Sequence, residues 1–213
     1  MTASSVHLGG PFSESGDAGE AGEIFWTEGR PTEGGRTVLV RQTPSGPQDV
    51  TPERFNIRNR VHEYGGAALL MHGGTVYFQN DSDQRIYRQS LAEGEPQPIS
   101  PEGEHRFANG VIDKPRDRGI WVHEDHSDAR SEAVNYIIAM PLEGGVLTTL
   151  VSGNDFYGAP TISPDGKSMA WLTWNHPNMP WDGCELWLAD FARDGSLESP
   201  VLIAGSTEES IFQ

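Results

Sequence analysis

A short aromatic and β-branched segment recurs four times along this 213-residue chain, at nearly constant spacing. It reads Ile24-Phe25-Trp26, Val76-Tyr77-Phe78, Ile120-Trp121-Val122 and Ala170-Trp171-Leu172, with centres 52, 44 and 50 residues apart. A second segment follows each one: Val38-Leu39-Val40, Ile86-Tyr87-Arg88, Tyr136-Ile137-Ile138 and Leu186-Trp187-Leu188, spaced 48, 50 and 50. A third, weaker segment keeps the same period at Gln48-Asp49-Val50, Pro98-Ile99-Ser100, Leu147 to Val151 and Val201-Leu202-Ile203. Runs of this composition, bounded by Gly, Pro, Asp and Asn, favour pleated strands over helices. A unit of several strands repeating every roughly 40–50 residues is a propeller blade.

An innermost strand precedes each later pair, at Gly66 to Met71, Asn109 to Asp113 and Ala159 to Ser163. The last of these runs into Ser163-Pro164-Asp165-Gly166, a tight turn in which Pro presets φ and Gly supplies the positive φ. The expected fold is all-β: a partial β-propeller of about four four-stranded antiparallel blades, near 23–60, 61–104, 105–153 and 154–207. Residues 208–213 then start a further blade. Residues 1–22 hold five Gly, four Ser and no Lys or Arg, and read as a flexible N-terminal arm.

Composition narrows the function. The net charge of −16 disfavours nucleic acid and anionic membranes. No segment approaches the roughly 18 apolar residues of a membrane span. No basic, then apolar, leader opens the chain, so the cytoplasm is the default location. A lone cysteine, Cys184, leaves no internal disulfide or cysteine-rich zinc site and reads as an inert, partly buried thiol.

The chemical motifs are mostly missing. There is no Gly-x-Ser-x-Gly elbow for a serine nucleophile, no Gly-x-Gly-x-x-Gly and no phosphate-cradling loop. No catalytic residue and no cofactor is expected. His62-Glu63-Tyr64-Gly65-Gly66 begins like a metalloprotease helix, but glycine stands where the second histidine ligand belongs. Either His62 and Tyr64 wedge between blades, or His62, Glu63 and Tyr64 face a substrate. His123-Glu124-Asp125-His126-Ser127-Asp128 offers several metal donors, yet strand alternation separates neighbours, and a solvated acidic loop is the expectation. No metal site is expected there.

Trp174-Asn175-His176-Pro177-Asn178-Met179-Pro180-Trp181-Asp182-Gly183 interrupts the fourth unit between its second and third strands. Two prolines stiffen it, two tryptophans offer apolar faces, and His176, Asn178 and Asp182 supply polar ends. One reading lines a channel or grips a partner with Trp174, His176, Asn178, Trp181 and Asp182. The other packs the tryptophans on adjacent blades and uses Asp182 to cap the turn.

Taken in order, Trp26-Thr27-Glu28-Gly29-Arg30-Pro31, Glu33-Gly34-Gly35-Arg36, Arg60 to Gly66, Ser152-Gly153-Asn154-Asp155-Phe156-Tyr157 and the Trp174 to Gly183 loop resemble the N-terminal propeller of prolyl oligopeptidase-family serine peptidases. Within that family they resemble the bacterial dipeptidyl-peptidase and acylaminoacyl-peptidase-like group. The resemblance implies a partner α/β-hydrolase domain that carries the Ser, Asp and His triad, none of which maps onto this chain. It implies a propeller that gates access for short peptides and in some members touches the substrate N-terminus. On this reading the chain resembles an enzyme cut before its hydrolase domain, inactive alone and prone to self-associate through open blade edges. The alternative is a stand-alone propeller-like module that binds a protein or peptide. A metal-dependent hydrolase stands third.

Overall fold

The computed structural model describes residues 24–211 except 93, together with the strand Val6–His7. The remainder of the expected arm at 1–22, and residues 212 and 213, lie outside the described residues. Among the described residues, sixteen strands form four separate sheets, each of four strands in antiparallel chain order. The first blade comprises β1 (Val6–His7), β2 (Phe25–Arg30), β3 (Arg36–Thr43) and β4 (Gly46–Asp49). The second comprises β5 (Leu69–His72), β6 (Thr75–Gln79), β7 (Ile86–Ser90) and β8 (Gln97–Pro98). The third comprises β9 (His105–Asp113), β10 (Arg118–Asp125), β11 (Val134–Pro141) and β12 (Thr148–Val151). The fourth comprises β13 (Phe156–Ile162), β14 (Ser168–Trp174), β15 (Glu185–Phe191) and β16 (Leu197–Gly205).

This is the meander that the repeat predicts, with differences at the inner strands. Val6 and His7 pair with Glu28 and Thr27, giving the first blade an inner strand inside the segment read as an arm. The second blade's inner strand starts at Leu69, not Gly66, because Asn59 holds the chain ahead of it: its Oδ1 accepts from Gly66 N at 2.9 Å and its Nδ2 donates to Gly66 O at 3.0 Å. The inner strands of the third and fourth blades begin earlier than expected, at His105 and Phe156, where full pairing with β10 and β14 carries them outward. The turn at Ser163–Gly166 forms as read, with Gly166 N donating to Ser163 O at 2.8 Å and Gly166 at φ 69°.

Each core lies between two blades, as it must when a sheet is too thin to bury its own faces. Phe25 and Leu39 of the first blade meet Val76 and Phe78 of the second, with Phe55 and Ile57 of the connecting segment between them. Tyr77 and Ile86 meet Phe107, Trp121, Ile138 and Met140 across the next junction. Ile120, Val122, Ile137 and Ala139 meet Tyr157, Met169, Trp171 and Ala189 across the third. Trp121, fully buried, lies flat against Gly110 and Gly119, where an added methyl group would collide with the indole. The last blade turns Leu188 and Val201, paired across β15 and β16, away from the third blade, and both are exposed. No helix among the described residues is long and apolar enough to cross a membrane.

The His123–Asp128 run is not the solvated loop expected of it. β10 extends through Asp125 because both neighbours pair with it there, Asp125 with His105 on one side and with Val134 on the other. His123 and Glu124 are consequently 5% and 3% exposed, and only the residues after Asp125 form a loop.

Candidate functional site

The cleft of interest opens where β10 ends, β11 and β13 begin and β14 ends, and the turn after Val61 reaches it from the second blade. Val61 is fully buried in the core between the third and fourth blades and anchors that turn. Asn59, 2% exposed, also accepts from Val61 N at 3.3 Å, and Arg60 N donates to Gln84 Oε1 at 2.7 Å. The chain then passes through positive φ at His62 (55°), Glu63 (66°) and Gly65 (85°). Left-handed backbone costs a non-glycine residue roughly 1–2 kcal/mol. The strained pair is held from outside: His62 N donates to Glu124 Oε1 at 2.7 Å, and Arg106 Nη1 donates to Arg60 O at 2.7 Å and Glu63 Oε1 at 2.6 Å.

That turn sets His62 against an aromatic wall. Its ring meets Trp174 and Phe156 edge-on, with centroids 5.1 and 5.4 Å away, and lies 5.7 Å from Tyr64. Phe156 and Trp174 are direct cross-strand partners and stack at 5.5 Å. His62, Glu63, Tyr64, Glu124, Asn135, Phe156, Trp174 and Met179 line a cleft of about 620 Å³, together with the loop 129–133. A recess of about 250 Å³ adjoins it, bordered by Asn135, Asp155, Phe156 and His176.

Polar groups in the cleft are unevenly satisfied. Glu124 accepts from His62 N, faces His126 Nε2 at 3.0 Å and lies 3.8 Å from Arg106. His62 Nε2 and Asn135 Oδ1 are buried without a hydrogen-bond partner. Burial pushes the His62 imidazole below its ordinary pKa, against the pull of Glu124, so it is neutral at pH 7. Burial, reinforced by Glu124, pushes the Tyr64 phenol up. The hydrogen bond from Arg106 holds the Glu63 carboxyl below the carboxylate range. A neutral ring, two acidic side chains and an apolar wall suit a ligand with a cationic head and an apolar body. Among the described residues no group of three His, Cys, Asp or Glu is placed to hold a metal ion.

The residues singled out by sequence divide. His62, Glu63, Tyr64 and Trp174 line one cleft. His176 lies at its rim, Nδ1 at 3.0 Å from Asp155 Oδ2 and its ring 4.9 Å from Phe156; its backbone N–H, bonded to Asp155, lowers that carboxyl's pKa. Asn178 and Asp182 brace the loop instead: Asn178 Nδ2 donates to Thr207 O at 2.7 Å, and Asp182 Oδ2 accepts from Met179 N at 3.0 Å. Trp181 is 60% exposed, and only Trp174 of the two tryptophans packs inward. Glu124, Asn135 and Phe156 were not singled out. Glu124 is hidden in an acidic run, Asn135 stands between Val134 and Tyr136 at the edge of a strand, and Phe156 belongs to a longer motif. Cys184 is 1% exposed, more deeply buried than the partly buried thiol expected.

No family model matches the chain, and no curated protein matches it. Solved structures do. A puromycin-hydrolyzing peptidase of Mycobacterium tuberculosis is 32% identical over 90% of this chain, with a TM-score of 0.80. A puromycin hydrolase is 30% identical over 93% of it, with a TM-score of 0.81. Prolyl oligopeptidase B of Galerina marginata, at 14% identity and a TM-score of 0.54 over 85% of the chain, shares the fold. The chain spans about a third of the length of the two puromycin-hydrolysing enzymes, 32% and 33%. Five sequence motifs in order, four four-stranded blades and these likenesses agree: the chain is a partial β-propeller similar to the corresponding third of the puromycin-hydrolysing peptidases.

Proposed function

We propose that this chain is the substrate-gating, non-catalytic propeller portion of a prolyl oligopeptidase-family serine peptidase that acts on short peptides. The observation that carries the reading is the convergence of His62, Tyr64, Phe156 and Trp174 on one cleft with Glu63 and Glu124 at its polar edge. The cleft receives the N-terminal part of a substrate: its ammonium group at the carboxylates, its first side chain against the rings. An α/β-hydrolase domain supplies the nucleophile, since no serine elbow is present in this sequence. The likeness to puromycin-hydrolysing enzymes supports small aminoacyl compounds among the substrates.

The test is hydrolysis of aminoacyl and dipeptidyl chromogenic amides by the purified chain, with and without a serine-reactive phosphonate, alongside a tryptophan-fluorescence titration with the same compounds. Binding without turnover or labelling supports the reading. Turnover blocked by the phosphonate overturns the non-catalytic assignment, and absence of binding overturns the gating role.

One observation favours a second reading, a stand-alone interaction module. Trp181 and the outer face of the last blade, with Leu188 and Val201, are exposed and apolar. A module complete in itself unfolds sharply and reversibly as a dilute monomer. A propeller portion with an open blade face associates as concentration rises.

A further inference from the structure

A second cavity, of about 440 Å³, opens at the junction of the second and third blades, between the turn joining β6 to β7 and the start of β9. Arg60, Arg85 and Arg106 border it, three of the fifteen Lys and Arg residues in a chain whose net charge is −16. The carboxylates around it are engaged or turned to water. Asp83 accepts from Asn80 Nδ2 at 3.0 Å and from the Tyr87 hydroxyl at 2.7 Å. Glu102 is 88% exposed, with Oε1 3.1 Å from Arg85 Nη1, and Glu104 is exposed. Arg85 is engaged too, its Nε and Nη2 donating to Ser100 O. Arg60 and Arg106 are not. Arg60 gives Nη2 to Asp81 O at 2.9 Å, and Arg106 gives Nη1 to Arg60 O and Glu63. Among the described residues the remaining nitrogens of both guanidiniums make no hydrogen bond.

A histidine pair supplies a further donor. His123 Nε2 lies 3.1 Å from His105 Nδ1, and His123 Nδ1 is buried with no partner. Burial, with His105 adding to it, lowers the His123 pKa to about 4, so at pH 7 the ring is neutral and one nitrogen is bare. As with backbone groups, a buried acceptor is left unmet more readily than a buried N–H. The proton of His123 therefore belongs on Nε2, donating to His105 Nδ1, and His105 carries a proton on Nε2. That nitrogen stands over Gly103 at the pocket wall, where an added methyl group would lie 3.0 Å from it. Ser82, whose Oγ accepts from Asn80 Nδ2 at 2.9 Å, keeps its own hydroxyl proton for the pocket.

We propose that this pocket is an oxyanion site, holding the carboxylate or phosphate group of a small molecule by the Arg60 and Arg106 guanidiniums, His105 Nε2–H and the Ser82 hydroxyl. Guanidinium groups suit such an anion because their planar donors match its oxygens in pairs. The site is independent of the peptide reading of the cleft: among the described residues the two cavities have only His126 in common.

Isothermal titration of the whole chain with inorganic phosphate and with succinate, at constant ionic strength, tests it. The native chain binds at least one of them; heat from phosphate alone assigns the phosphate group, and from succinate alone the carboxylate. Arg106→Gln and Arg60→Gln each weaken that binding at least about tenfold, a loss of ~1.4 kcal/mol. Arg106 also braces the turn at Glu63, so Arg60→Gln, on a side chain 47% exposed, guards against misreading a folding defect. Arg54→Gln removes the same charge from a side chain 62% exposed and outside the pocket lining, and leaves the affinity unchanged. Binding of neither titrant, full affinity in Arg60→Gln, or an equal loss in Arg54→Gln overturns the site.

Discussion

The two ends of the junction between the third and fourth blades are bonded in opposite ways. At the end away from the cleft, Asp113 is fully buried and held by Arg116 Nη1 at 2.9 Å and Arg118 Nε at 2.8 Å. The same arginines reach the fourth blade, donating to Gly166 O at 3.1 Å and Gly195 O at 2.6 Å, and Arg116 lies 4.0 Å above the Phe191 ring. Charges are paired and the donors converge on carbonyls. At the cleft end, His62 and Asn135 each keep a buried ring or amide atom without a partner, and two consecutive non-glycine residues sit at positive φ. One end clamps two blades together. The other stores unmet bonding and strain, the pattern of a site kept ready for a ligand at the expense of stability.

The largest test of that contrast is Asp113→Ala. It leaves Arg116 and Arg118 beside each other without their shared carboxylate and should lower stability by about 3–5 kcal/mol in urea unfolding. A loss under about 1 kcal/mol, the scale of an exposed pair, would remove the clamp from the account.

The second test uses pH. His123 is stacked between Phe107 (4.9 Å) and Tyr136 (5.7 Å), and burial, with His105 adding to it, lowers its pKa from 6.5 to about 4. Because the folded form holds the proton less tightly than the unfolded form, this term is present in full above pH 6.5 and is lost as pH falls toward 4. The loss is about 3 kcal/mol. His123→Phe should flatten that part of the stability profile, and an unchanged profile would place the acid sensitivity elsewhere.

Smaller effects of opposite sign belong to the cleft. Asn135→Leu should cost nothing or stabilise by up to about 1 kcal/mol, since it removes an unmet acceptor. Glu63→Gly relieves a left-handed backbone worth roughly 1–2 kcal/mol, less the exposed pair with Arg106, and should raise the thermal midpoint slightly. Destabilisation by both, read by thermal unfolding, would erase the difference between the two ends.

The sequence makes the blades legible because each one repeats short aromatic and β-branched strands at one period, a local feature that survives without knowledge of packing. Trp174 and the His62–Tyr64 turn stand out for the same reason: a proline-rich tryptophan loop and a glycine pair are locally unusual. The burial of Glu124 is not legible because it depends on β9 and β11 extending strand β10 into the acidic run, a pairing that no local pattern announces. Asn135 is a lone polar residue beside the apolar run Tyr136-Ile137-Ile138, and its place opposite Glu124 comes from the strand register. Trp181 misleads in the other direction, since its size suggests burial and the loop around it, tied to Thr207 through Asn178, turns it outward. Val6 and His7 are too short a strand to separate from the Gly- and Ser-rich residues around them.

The central claim is that the end with unmet bonds is where a peptide N-terminus binds. Amide and indole chemical-shift mapping of the chain during titration with L-phenylalaninamide tests it most directly. The account predicts shifts confined to His62, Glu63, Glu124, Asn135, Phe156 and the Trp174 indole, with Asp113, Arg118 and Trp181 unmoved. Shifts centred on Trp181 and the Leu188–Val201 face, or none at the cleft, would contradict it.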